Sequence, residues 1–164
     1  MTNKIEINEL FDFWRKVQRS ILHMASLLNP EDLNYSFDPK LNPIGESFYH
    51  IARTYHGWLT YTIQDGEKDP ERIPTKDLTV ENINNALKNA FNRGNRLLEK
   101  SSFNDWNKQL TDLNDDGTPY NVSFGWVLWH LIEHDIHHRS QLKLQFKFLN
   151  KNIDERIFWE EEDT

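Results

Sequence analysis

Trp129-His130-Leu131-Ile132-Glu133-His134-Asp135-Ile136-His137-His138-Arg139 holds four of the chain's seven histidines. Three of them, His130, His134 and His138, recur at every fourth position. Neither glycine nor proline interrupts residues 126–150, so the spacing predicts one long helix there. Side chains four apart stand one above the other on the same helical face. At about 100° per residue, His134 and His138 fall in the stripe of Val127, Leu131, Leu142 and Leu149. His130 lies at its margin, whereas Glu133 and His137 point away.

Two imidazoles on consecutive turns can bind one metal ion. Neutral imidazole suits Zn, Ni, Cu and Fe, so the spacing does not choose among them. The plainer alternative is a pair of core-edge histidines satisfied by hydrogen bonds. Burying two polar rings costs free energy unless each finds a partner, and a shared cation supplies one to both. A third ligand must then come from another helix.

The remaining 3.6-residue periodicities supply such helices. Over residues 5–28, Leu10, Phe11, Trp14, Val17, Ile21, Met24, Ala25 and Leu28 form an apolar stripe, ended by Asn29-Pro30. His23 beside it has no second candidate nearby and reads as structural or exposed. After a loop at 30–42, Asn42-Pro43 places an N-cap residue before a proline at the first helical position. The second helix runs to about residue 64, where Asp65-Gly66 stops it, with Ile44, Phe48, Ile51, Tyr55, Trp58 and Thr62 as its core stripe. His50 and His56 flank that stripe at about 120° on opposite sides, so periodicity does not say which of them faces a metal.

A polar connection at 65–78 leads to a third helix, 80–100, capped by Thr79. Gly94 allows close helix approach, and the outer Asn, Lys and Arg positions read as a solvated face. In 101–121, Asn114-Asp115-Asp116-Gly117 is a turn signal that fits a short hairpin or an irregular loop. The acids there lack the ligand alternation and closing Glu of a calcium loop. The histidine helix begins near residue 122. Beyond 150 the chain turns acidic, with Ile157, Phe158 and Trp159 expected to anchor that extension.

These elements predict an all-α, four-helix bundle with long crossover loops, as one domain over 1–164 with a core at 5–150 and a C-terminal extension at 151–164. Bundles build cofactor sites from side chains on facing helices. The formal charge of −7 and scattered basic residues argue against nucleic-acid and anionic-membrane partners. With no cysteine there is neither a disulfide nor a protein thiolate, so any thiol chemistry needs a thiol from a small molecule. The N-terminus lacks the apolar segment of a secretory signal and no run reaches the roughly 20 residues of a membrane span. A cytoplasmic protein is the expectation. Aromatic residues make up 13% of the chain, enough to fill wide gaps between helices and line a pocket.

Two segments resemble the DinB-like family. Pro43-Ile44-Gly45-Glu46-Ser47-Phe48-Tyr49-His50-Ile51-Ala52, with Trp58-Leu59, is similar to the family's second helix, where the histidine before Ile-Ala is a ligand. The run from His130 to Leu142 is similar to its fourth-helix pattern, His-x3-His-x2-His-His-Arg-Gly-Gln-Ile. Ser140 stands where glycine is more usual, and the acidic ending also departs from the family. The resemblance implies a divalent metal, zinc or nickel, on His50, His134 and His138, and so selects His50 over His56. It implies an enzyme that transfers a group of a small-molecule substrate to a low-molecular-weight thiol such as bacillithiol or mycothiol, and a homodimer. A divalent ion can hold such a thiol as a nucleophilic thiolate.

No general base is assigned. Asp135 and His130 are the nearest candidates, and each fits better as a partner that fixes an imidazole tautomer. Two alternatives stand beside the transferase. One is a bundle that binds a metal or small ligand without turnover. The other is metal-assisted hydrolysis, since His134-Asp135-Ile136-His137-His138 differs from His-Glu-x-x-His by one methylene in the base.

Overall fold

The computed structural model describes residues 11–64 and 77–158. The start of the first predicted helix, most of the connection before the third, and the chain from Trp159 onward lie outside the described residues. Among the described residues there are four α-helices: α1 (Asp12–Ser26), α2 (Ile44–Gly57), α3 (Val80–Lys100) and α4 (Phe124–Phe148). A two-stranded antiparallel hairpin, β1 (Gln109–Leu113) and β2 (Pro119–Ser123), precedes α4. Over the described residues the architecture is all-α with one small sheet.

α1 and α2 bury most of the stripe their sequence predicts. On α1, Trp14, Val17, Ile21, Met24 and Ala25 are buried. On α2 the buried set includes Ile44, Phe48, Ile51 and Tyr55. Burying each such side chain contributes about 1.5–3 kcal/mol, which outweighs the weak helix propensity of the β-branched and aromatic members. α2 packs against α3 and α4, and α1 packs against the same two helices. Around the bundle the order is therefore α1, α3, α2, α4, and the long segments 27–43 and 101–123 join the diagonal pairs.

The helix starts follow two designs. At α3, the Thr79 hydroxyl accepts from Asn82 N at 3.1 Å; at α4, Ser123 does the same for Trp126 N, also at 3.1 Å. At α2 the expected Asn42 cap is absent and Pro43 occupies the cap position without a side-chain bond. Backbone takes over: Ile44 N donates to Tyr35 O at 2.9 Å and Gly45 N to Leu33 O at 3.0 Å. The preceding loop, folded back through a 3-10 turn at Pro30–Asp32, supplies the acceptors.

The second helix also ends differently from its prediction. Trp58–Ile63 form a π turn, and Gln64 takes the left-handed conformation (φ 58°) before Asp65-Gly66 is reached. The wider turn buries Leu59 together with the expected Thr62. Arg93 likewise departs from the solvated face expected of α3. It is only 6% exposed, and its guanidinium donates to Thr60 Oγ1 of the π turn at 2.9 Å and lies 3.3 Å from His56 Nδ1.

One hydrogen-bond chain touches all four helices. Asn95 (α3) donates to Gln18 (α1) at 3.1 Å, and Gln18 donates to the Tyr55 hydroxyl (α2) at 3.0 Å. Tyr55 in turn donates to Asp135 (α4), and Trp14 Nε1 (α1) donates to the same carboxylate oxygen at 2.7 Å.

Candidate metal centre

α2 and α4 lie side by side with two facing rows of side chains. On α2 and the π turn that continues it, the row is His50, Thr54 and Trp58, each one turn after the last. On α4 it is His138, His134, His130 and Trp126, running the opposite way. His50 meets both His134 and His138, with ring centroids 4.9 Å apart in each case. His134 and His138 are 4.3 Å apart. At the other end Trp58 packs edge-on against His130 (5.2 Å) and Trp126 (5.6 Å).

The three histidines present one ring nitrogen each, all within 4.8 Å of one another. Of the two that sequence periodicity left open on α2, His50 is the one in this group. His56 faces α3, beside Arg93 and within 3.2 Å of Thr60 Oγ1.

Burial governs the protonation of the cluster. Desolvation lowers His134 to about 4, with the charges of His130 and His137 adding to it. Desolvation, then the neighbouring His134, His50 and His137, lowers His138 to about 4. His50 is lowered as well, by burial first and then by His134 and Arg53. The rings are therefore neutral at ordinary pH and keep lone pairs for a ligand. His134 Nε2 and His50 Nε2 lie 3.0 Å apart. Two bare lone pairs repel at that separation, so a proton or a cation must sit between them. Three neutral imidazoles converging from two helices fit a divalent transition-metal ion.

The remaining candidates fall elsewhere. Asp135 is fully buried one residue further round α4, and its carboxylate bonds to Trp14 and Tyr55 rather than to a site histidine. Burial raises it to about 7, against the pull of those two hydrogen bonds. It anchors the back of α4 and is out of position to fix an imidazole tautomer. His130 stacks flat on Trp126 (5.1 Å, 3° between planes), with its ring 6.2 Å from that of His134. It belongs to the aromatic wall next to the cluster. The buried Nδ1 atoms of His134 and His138 have no hydrogen-bond partner among the described residues. His137 is exposed and pairs with Gln141 at 2.9 Å.

Sequence reasoning missed Thr54, whose Oγ1 lies 3.2 Å from His134 Nε2. The signal was available in its spacing, one turn after His50 and one before Trp58. Threonine carries no metal-site expectation of its own and so did not draw notice.

The DinB family model matches residues 1–147. A solved structure, that of a DinB-like protein from Bacillus cereus ATCC 10987, is similar at a TM-score of 0.70 and 18% sequence identity, covering 91% of this chain and 96% of that one. At that identity the likeness is one of fold. No curated protein matches the chain.

Proposed function

This chain belongs to the DinB family, and on that premise we propose that it holds one divalent cation, zinc or nickel, on His50, His134 and His138 and uses it in transferring a group to a small thiol. The observation that carries the reading is the convergence of three neutral ring nitrogens within 4.8 Å, contributed by two different helices. Such an ion lowers the pKa of a thiol and keeps it as a thiolate. The chain's own part is positional. α4 sets two imidazoles one turn apart, α2 brings the third, and burial keeps all three neutral. Trp58, Trp126 and His130 wall one side of the cluster with apolar ring surface against which a substrate packs.

One observation weighs against hydrolysis. The base in His-Glu-x-x-His enzymes must reach metal-bound water, whereas the carboxylate of Asp135 is engaged on the far side by Trp14 and Tyr55. A non-catalytic metal-binding bundle differs from the transferase by its lack of turnover. Metal analysis of protein purified without an affinity tag should find about one equivalent in the wild type and almost none in His134→Ala or His138→Ala. Thiol consumption with an electrophile should fall with the metal. Metal without turnover across a panel of thiols and electrophiles would leave the binding role, and wild-type protein that takes up no ion would end both.

A further inference from the structure

Thr54 lies one turn after His50 on α2, and its hydroxyl makes two contacts. It donates to the His50 carbonyl at 3.0 Å, the backward bond that helical threonines commonly form. With the proton so committed, the oxygen lone pairs remain for the second contact, 3.2 Å to His134 Nε2. The same nitrogen lies 3.0 Å from His50 Nε2. Two ligands of a tetrahedral ion with bonds of about 2.1 Å stand roughly 3.4 Å apart. Thr54 Oγ1 therefore stands to His134 Nε2 much as His50 Nε2 does, at a separation close to that of two ligands in one shell.

We propose that the Thr54 hydroxyl is a fourth protein donor of the cation site, adding one oxygen to three nitrogens and leaving a further position of an expanded shell open to a small ligand. The proposal rests on the reading that His50, His134 and His138 hold the ion. Threonine hydroxyls coordinate divalent cations in phosphate-binding loops, so the chemistry has precedent. Here the residue is pre-oriented, because the bond to the His50 carbonyl fixes the hydroxyl proton away from the ring nitrogens. The backbone of a ligand thus orients the next donor. A hydroxyl oxygen also tilts the set toward zinc, nickel or cobalt and away from soft ions such as Cu(I), which favour sulfur donors.

The test is titration of the metal-free, full-length protein with cobalt(II) alone, read by the position and intensity of its visible absorption bands. Wild type, Thr54→Val, Thr54→Ser and His138→Ala are compared, with melting of the metal-free proteins as a check on folding. Thr54→Val keeps the branched shape and removes the oxygen. It should bind cobalt on the order of tenfold more weakly and with altered bands. Thr54→Ser should restore both, which a packing role for the threonine methyl would not predict. Wild-type affinity and bands in Thr54→Val, with the ion lost in His138→Ala, would overturn the fourth donor and leave the three-histidine site standing. Cobalt uptake that is nil in the wild type, or the same in His138→Ala, would overturn the histidine site and this proposal with it.

Discussion

Asp135 shows how much one residue's surroundings determine. It is a charged residue type with no exposed surface, and burial raises its carboxyl to about 7 from the ordinary 3.8. In the unfolded chain it loses its proton near its ordinary pKa, while in the fold it keeps that proton to about pH 7. Between those limits the native state binds more protons, so this group's contribution to stability declines as pH rises from about 4 to about 7 and is level beyond. The buried histidines act with the opposite sign. Lowered to about 4 from 6.5, His134 and His138 withdraw stability as pH falls through that range. Asp135→Asn removes one contribution and keeps the other. Its stability relative to wild type, from urea unfolding of chelated protein at pH 4 to 8, should increase up to about pH 7 and then stay level. A difference independent of pH would mean that the carboxyl titrates normally. Set among histidines, this aspartate stood out in the sequence, but its neighbours suggested a role at their rings. Its partners Trp14 and Tyr55 lie 121 and 80 positions away in sequence, and periodicity along one helix cannot supply contacts of that range.

At the scale of elements, the close approach of α2 and α3 turns on Gly94. A methyl group there would lie 3.0 Å from Cε1 of Tyr55, tighter than ordinary contact. The tyrosine cannot easily move aside, since it bonds to Gln18 and Asp135 and stacks on Trp14 at 5.9 Å. Gly94→Ala should therefore destabilise by roughly 1–3 kcal/mol despite alanine's gain of about 1 kcal/mol in helix propensity, as read from the urea midpoint. An increase in stability would show that the ring yields. The glycine was legible in the sequence as a point of close approach, as were the four helices and Thr79, whereas the pairing of α2 with α4 followed only from the family resemblance. The π turn was not. A 3.6-residue pattern assumes one bond geometry throughout, so the extra residue near Trp58 shifts everything after it. The buried Arg93 escaped for a related reason, because its partners Thr60 and His56 lie at and just before that turn. Where backbone replaces a cap, as before Ile44, residue type gives no sign of it.

For the molecule as a whole, the segment after α4 is tied to the loop after α1 by charge. Lys151, just past α4, lies 2.7 Å from Asp32 and donates to the Leu27 carbonyl at 3.0 Å, and both ion-pair partners are largely shielded from water. Asp32 also caps its own 3-10 turn through Asn29 N at 2.6 Å. Lys151→Met leaves a shielded carboxylate without its cation and should cost roughly 1–3 kcal/mol, measured by urea unfolding at neutral pH. A change under about 0.5 kcal/mol would place this pair with ordinary surface ion pairs. Fold class and helix order were readable from composition and spacing. The order of helices around the bundle, and the hydrogen-bond chain through all four, depend on contacts between distant segments.

The aromatic wall beside the histidines carries an optical consequence. Trp126 lies flat against His130 and Trp58 meets both, one helical turn from His134. Indole emission responds to nearby charge, so a dication arriving at the neighbouring rings should change the brightness or colour of these two tryptophans. Titrating metal-free protein with zinc should give a saturable fluorescence signal, much reduced in Trp126→Phe, and a silent titration of protein shown to bind zinc would refute it. The fold thus carries a built-in lamp beside its histidine cluster, by which uptake of an ion there would be followed without an added dye.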